Sequence, residues 1–336
     1  IRMGTAELYR AVETIPAVLD SLVVDLEYLG RESYMPLFVV LREGAALDER
    51  FGAQRAAEFG RRLPGVVAGL TRRWGLQPES LLPAGATSVV IAADRSGSPA
   101  VLKISPDGPF LVRQAAMLEH LAPTGRVPAV LEVDAVAGAV LMERVLPGTT
   151  LDDSRAEPPT PQDWAALLED LHSTRADSTT QHVVTDVLRQ RCEDMFRRIG
   201  ERQATERVSG HISRETWGRA VRECLALLET DREQVVIHGD LHLGNVLRSQ
   251  DRGLVVIDPK LCVGDRCFDM VDFVVTAGTA DQMTARALEL APLVDVEPER
   301  LLRWSRVNAV VTGISRTFGS GPDGWTRTLL EFAAEE

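Results

Sequence analysis

The octapeptide His238-Gly239-Asp240-Leu241-His242-Leu243-Gly244-Asn245 sets a carboxylate and a carboxamide five positions apart in what reads as a tight loop. A second carboxylate, Asp258, closes the apolar run Leu254-Val255-Val256-Ile257. These residue types at this spacing suit phosphoryl transfer to a hydroxyl. That reaction needs one carboxylate to orient the hydroxyl and take its proton. It also needs hard oxygen ligands for Mg²⁺, which accepts carboxylate and amide oxygens and keeps several waters. Asp240 fits the first role, and Asn245 with Asp258 the second. Taken singly, the loop could be an Asx-type turn and Asp258 a turn former before Pro259. Apolar strand-like runs on both sides, Gln234–Ile237 and Leu254–Ile257, favour the joint reading. His238, His242 and His172 have no third partner of metal-ligand spacing and read as structural residues.

Lysine usage supplies an independent signal. Of 37 basic residues only Lys103 and Lys260 are lysine; the rest are arginine. Lysine is a compact point charge and arginine a planar fork, so two lysines kept against such a bias mark positions that need the ammonium. Lys103 ends the strand-like run Ala100–Ile104, from which it could reach nucleotide phosphates or merely snorkel at a strand edge. Lys260, two residues beyond Asp258, could contact the transferred phosphate or pair with Asp240 or Asp265.

Hydrophobic periodicity places these residues on elements. A helix is predicted over 57–75, closed by Gly75. Strands follow at Glu79–Gly85, Ser88–Ala93 and Pro99–Ile104, with a turn at 95–98. Then come a helix at Arg113–Leu121 and strands at Ala129–Val133 and Ala139–Glu143. Leu146-Pro147-Gly148 reads as a sheet-breaking hinge. Beyond it, 161–174, 184–203, 212–230 and the chain from about 271 carry helical periodicity. The order predicts an α+β chain: an extension over 1–56 of unassigned role, a strand-rich lobe over 57–146 and a helix-rich lobe over 147–336.

Composition excludes other classes. With 336 residues, 45% hydrophobic and 26% charged, the chain can bury a sizeable core and is not disordered. No apolar stretch is long enough to span a bilayer, and the start, Ile1-Arg2-Met3, lacks the order of a signal peptide. The four cysteines form no Cys-x-x-Cys pair and read as reduced thiols of a cytoplasmic protein. A net charge of −12 argues against nucleic-acid binding and is compatible with a cationic substrate or simply an acidic surface. Gly319–Gly324 satisfies Gly-x-Gly-x-x-Gly, but it contains Pro322 and follows no strand, so it is not a dinucleotide site.

Val101-Leu102-Lys103, His238–Asn245 with Val246-Leu247, Ile257-Asp258-Pro259-Lys260, Gly264-Asp265 and Phe268-Asp269 together resemble the aminoglycoside phosphotransferase superfamily. The Asp258-Pro259-Lys260 string is similar to its streptomycin 6-phosphotransferase and hydroxyurea phosphotransferase branch, over roughly 57–310. The resemblance implies a two-lobed protein-kinase-like fold with a small antiparallel sheet and a larger helical lobe. It implies ATP with Mg²⁺, Lys103 at the nucleotide phosphates, Asp240 as base, and Asn245 and Asp258 as metal ligands. Glu143-Arg144-Val145 matches the hinge that pairs with adenine, and Gly85-Ala86-Thr87-Ser88 the phosphate-covering loop. Asp265 and Asp269 are expected to brace the loop after the metal site. One departure stands out: Gln114 occupies the place of the glutamate that normally pairs with the strand lysine, while Glu119 faces elsewhere. The implied acceptor is a hydroxyl of a small molecule, most simply an antibiotic inactivated by phosphorylation. A sugar or amino-alcohol kinase, or an inactive nucleotide-binding regulator, are the alternatives; the oligomeric state is left open.

Overall fold

Trp74 is the last residue of a 22-residue helix, and Gly75 takes the left-handed conformation (φ 64°) that turns the chain straight into a strand. A glycine beyond a helix end adopts that conformation without a Cβ penalty. Hence the first strand of the sheet starts at Leu76, three residues before the predicted Glu79. The computed structural model describes residues 18–23, 37–41, 47, 50–82, 87–153, 156–174, 183–184, 186–232 and 235–335. These divide between two compact units: Ile1–Ala115 with Ala129–Arg144, and Ala116–Pro128 with Val145–Glu336.

In the first unit, β1 (Val18–Val23) and β2 (Leu37–Leu41) form an antiparallel pair. Helix α1 (Ala53–Trp74) begins within the predicted extension rather than after it. β3 (Leu76–Leu81), β4 (Val89–Arg95) and β5 (Ser98–Ile104) precede α2 (Gly108–Leu121), and β6 (Val130–Asp134) and β7 (Ala139–Glu143) follow it. The sheet order is β3-β4-β5-β7-β6, antiparallel throughout. Ser96 and Gly97, both at positive φ, make the two-residue turn between β4 and β5. Such a turn matches the strand twist and pins the register. That register sends Ala100, Leu102 and Ile104 into the core with Val67, Leu70 and Trp74 of α1. Alternation along the strand then puts Lys103 on the opposite face. Each fully buried aliphatic side chain of this layer contributes about 1.5–3 kcal/mol.

The second unit holds β8 (Pro147–Thr150), α3 (Pro161–Leu171), β9 (Asp186–Val187), α4 (Leu188–Gln203), α5 (Glu206–Ser209) and α6 (Arg214–Thr230). It continues with β10 (Val235–Ile237), β11 (Val246–Ser249), β12 (Gly253–Val256), β13 (Cys262–Gly264) and α7 (Val271–Val274). Helices α8 (Ala280–Leu290), α9 (Pro298–Gly319) and α10 (Gly324–Ala334) complete it. Pro147-Gly148, read from sequence as a break, opens β8, which pairs with β11. The two apolar strands read on either side of the 238–245 loop belong to different sheets. β10 pairs with β13, and β11 forms a hairpin with β12. The loop is therefore carried by two small sheets, β10-β13-β9 and β12-β11-β8.

Helix α9 is buried on several faces, through Leu301, Trp304, Val307, Val310 and Ile314 among others, as expected of a helix inside a core. Val310 and Ile314 join Ile199, Val208, Ile212 and Ala220, anchoring α4 and α6 around it. The dismissed Gly319–Gly324 run is the junction where α9 ends and Asp323 caps α10. Cys192, Cys224, Cys262 and Cys267 are free and buried. Among the described residues no helix is long and apolar enough to cross a membrane.

Candidate active site

Gly239 is held at φ 73°, and a Cβ there would lie 2.4 Å from the Lys260 carbonyl oxygen. Only glycine permits both the conformation and the approach. The closeness has a purpose in the backbone ladder: the Lys260 N–H donates to the His238 carbonyl (2.9 Å) and the Ile257 N–H to the Asn245 carbonyl (2.9 Å). These two bonds lock the 238–245 loop to the segment that carries Asp258 and Lys260. The Nε2–H of His238 donates to the Ile257 carbonyl (3.0 Å), a third link. Burial, outweighing the nearby Asp269 and Asp240 carboxylates, pushes the His238 imidazole below its ordinary value, so it is neutral. His238 is thus the structural residue the sequence suggested.

Within this frame the Lys260 ammonium lies 2.6 Å from Asp240 Oδ2. Of the partners open to Lys260 from sequence, the structure selects Asp240 over Asp265. Asp265 instead caps the Cys267 N–H and receives Arg300 Nε (2.7 Å) and Trp304 Nε1 (2.5 Å). Burial alone would raise the Asp240 carboxyl. The Lys260 ammonium, with smaller help from His242 and Arg191, overrides it and holds the group below the usual carboxylate value.

Asn245 is buried, and its Nδ2 donates to the Asp240 carbonyl (2.9 Å). Anchoring the amide nitrogen fixes the orientation of the side chain and leaves Oδ1 as its oxygen donor. Asp258 adopts φ 59°, a left-handed conformation unusual for a non-glycine residue and found disproportionately at functional sites. An amide oxygen and a carboxylate are both hard donors of the kind that Mg²⁺ accepts, with water and phosphate oxygens filling the remaining positions. Among the described residues no group of three or more His, Cys, Asp or Glu gathers as a denser metal site.

Asp269 was expected to brace the loop after Asp258. It braces the catalytic loop instead: its carboxylate accepts the His238 N–H (2.7 Å) and the Gly239 N–H (3.0 Å). His172, at the end of α3, reaches the same carboxylate through Nε2 (3.1 Å). Asp272 accepts the Leu243 N–H (2.9 Å) from the other end of the loop, and burial pushes its carboxyl above the usual range. Neither interaction has a local sequence signature.

In the first unit, Lys103 is buried on β5 and its ammonium donates to Gln114 Oε1 on α2 (3.2 Å). The register that places Gln114 against the lysine leaves Glu119 exposed. Ser88 is buried, and the Ser105 hydroxyl donates to the Thr87 carbonyl (2.6 Å); Gly85 and Ala86 of the predicted phosphate loop lie outside the described residues. Glu143 exchanges hydrogen bonds with Ala129, its N–H donating to the carbonyl (2.8 Å) and its carboxylate accepting the N–H (3.1 Å). Val145 is buried in the second unit.

Arg191 is a residue the sequence reading missed. From the first turn of α4 its Nη2 donates to the Gly239 carbonyl (3.0 Å) and lies 3.7 Å from Asp240 Oδ1. Nothing local distinguishes it from the chain's many other arginines.

Residues 73–317 match the family model described as aminoglycoside/hydroxyurea antibiotic resistance kinase. A hydroxyurea phosphotransferase from Kitasatospora aureofaciens is 28% identical over 270 residues, covering 76% of this chain and 74% of that protein. A streptomycin 6-kinase from Streptomyces griseus is 25% identical over 224 residues, 66% of this chain and 69% of that protein. Among solved structures, an aminoglycoside phosphotransferase in ternary complex with ADP and hygromycin B superposes with a TM-score of 0.55. It shares 14% identity over 80% of this chain and 98% of that one, a likeness of fold.

Proposed function

The chain belongs to the aminoglycoside/hydroxyurea antibiotic resistance kinase family, and from that premise we propose that it transfers the γ-phosphoryl group of ATP to a hydroxyl of a small antibiotic, inactivating it. The observation that carries this reading is the Asp240–Lys260 pair, in a loop whose Asn245 is tied by its backbone carbonyl to Ile257, the residue before Asp258.

In this mechanism Lys103, oriented by Gln114, binds the α- and β-phosphates. Glu143 and Val145 supply backbone groups for the adenine, and Ser88 belongs to the loop over the phosphates. Asn245 and Asp258 would hold Mg²⁺, which when bound offsets negative charge on the phosphate oxygens. Asp240 orients the acceptor hydroxyl and takes its proton. The hydroxyl oxygen bonds to the γ-phosphorus, the bond from that phosphorus to the β–γ bridging oxygen breaks, and ADP leaves. Once Asp240 carries the proton, its hold on Lys260 weakens. The ammonium then becomes available to the transferred phosphoryl oxygens. Positioning and charge account for the rate, since the protein contributes no covalent step.

The test is ATP consumption with Mg²⁺ against aminoglycosides, peptide and nucleoside antibiotics, hydroxyurea, sugars and amino alcohols. The expected result is ADP release that depends on one antibiotic class, with a gain of one phosphate in that compound's mass. Release with only a sugar or an amino alcohol would replace antibiotic inactivation by metabolite phosphorylation. Bound ATP without turnover on any acceptor would remove the catalytic assignment.

A further inference from the structure

The two carboxylate oxygens of Asp240 are held unequally. Oδ2 is occupied by the Lys260 ammonium at 2.6 Å. Oδ1 accepts no hydrogen bond from a described residue, and the nearest cation to it is the Arg191 guanidinium at 3.7 Å. That distance is too long for a hydrogen bond but close enough for a charge to act. The same Nη2 is fixed by its bond to the Gly239 carbonyl, so the charge beside Oδ1 is not free to wander. Arg191 also carries a cost. Its Nε is buried and finds no hydrogen-bond partner among the described residues. A buried donor left unpaired is rare in native proteins, and where it persists a functional reason is expected.

We infer that Arg191 is a positioning residue of the phosphoryl transfer proposed above, on which this inference rests. It pins the Gly239–Asp240 peptide through the carbonyl and keeps Oδ1 charged and oriented without occupying it. Lys260 takes Oδ2, Arg191 guards Oδ1, and Oδ1 is thereby the atom that receives the hydroxyl proton. Asp269 holds the peptide before Gly239 through the Gly239 N–H, and Arg191 holds the peptide after it through the Gly239 carbonyl. Arg191 grips it from a different element, α4, so the orientation of the base depends on a helix well removed in sequence from the catalytic loop.

The test compares the parent chain with Arg191→Met and Arg191→Lys. Arg191→Met is expected to lower kcat about 10- to 100-fold, the range for losing one charge-assisted contact. KM for ATP should stay within about twofold, because the contact acts on the base and not on ground-state nucleotide binding. Arg191→Lys keeps the charge and is expected to retain about tenfold more kcat than Arg191→Met. Melting temperature should hold within about 2 °C, since the lost carbonyl bond is set against relief of the unpaired Nε. A kcat within twofold of the parent in Arg191→Met overturns the inference. So does equal loss in both variants with a falling melting temperature, which is the signature of a merely structural arginine. Crystal structures of parent and Arg191→Met read the placement apart from turnover: the Gly239–Asp240 peptide should reorient, and an unmoved Asp240 overturns the inference. A parent chain silent with every acceptor would defeat the proposed function, while the crystallographic comparison would still decide the placement.

Discussion

The chain's two lysines stand in opposite environments. Lys103, in the first unit, is 4% exposed and hydrogen-bonded to a neutral amide, Gln114. Lys260, in the second, is 30% exposed at its side chain and ion-paired to Asp240 at 2.6 Å. A lysine on a strand of the sheet, oriented by an amide, is placed to bind an anion such as a nucleotide phosphate. A lysine already paired to a carboxylate yields its charge only when that carboxylate is neutralised, as it is on taking a proton. The difference separates a group that binds from one that responds to the chemistry.

The largest expected effect removes the partner of Lys260. Asp240→Ala should lower kcat by about 10²- to 10⁴-fold, the contribution of a positioned base, with ATP affinity nearly unchanged. Steady-state kinetics and ATP titration check this, and a variant keeping more than a tenth of its rate would break the assignment. Next, Lys103→Ala and Lys260→Ala should separate: the first raising KM for ATP about tenfold or more, the second acting mainly on kcat. If both moved the same parameter, the contrast between binding and responding would fail. Smaller still, Gln114→Leu leaves Lys103 buried with one polar contact fewer. The amide orients the ammonium without supplying its charge, so KM for ATP should rise less than in Lys103→Ala, by about tenfold at most, with kcat nearly kept. The smallest effect lies away from both lysines, at Asp323, whose carboxyl caps α10 by accepting the Thr326 N–H (2.7 Å) and pairs with Arg316. Those hydrogen bonds lower its pKa to about 2 from the ordinary 3.8. A depressed folded-state value stabilises above the unfolded value and fades as pH falls through the folded one. The melting-temperature deficit of Asp323→Ala should therefore be full at pH 6 and gone by about pH 2, with phosphoryl transfer at neutral pH untouched.

The same contrast governs what could be read in the sequence. Lys103 lay on a strand whose alternation and turn residues are local, so its element followed directly from the pattern. Gln114 was located by its place in the helix after that strand. Around Asp240 the local signals ended at the loop itself. The spacing of Asp240, Asn245 and Asp258 was visible, and so were the strands before and after the loop, but not their partners, because β8, β9 and β13 are too short to show a period. Asp269 was recognised as a bracing residue but given the wrong loop, since a carboxylate's backbone partners depend on how the chain returns. His172 was read as structural without its partner Asp269, while Asp272 and Arg191 carry no pattern that separates them from surface residues.

By itself the sequence determined what proximity along the chain controls. It set the α+β order of elements, and the two lysines and three oxygen donors suited to phosphoryl transfer. Only the tertiary structure decided which partner each of these residues meets. It gave Lys260 to Asp240, turned Asp269 back onto the catalytic loop, and brought Arg191 from α4 to the oxygen that Lys260 leaves open. The physical reason is that a hydrogen bond or ion pair acts over about 3 Å, and residues far apart in sequence come within that reach only after the cores around α9 and the small sheets have packed.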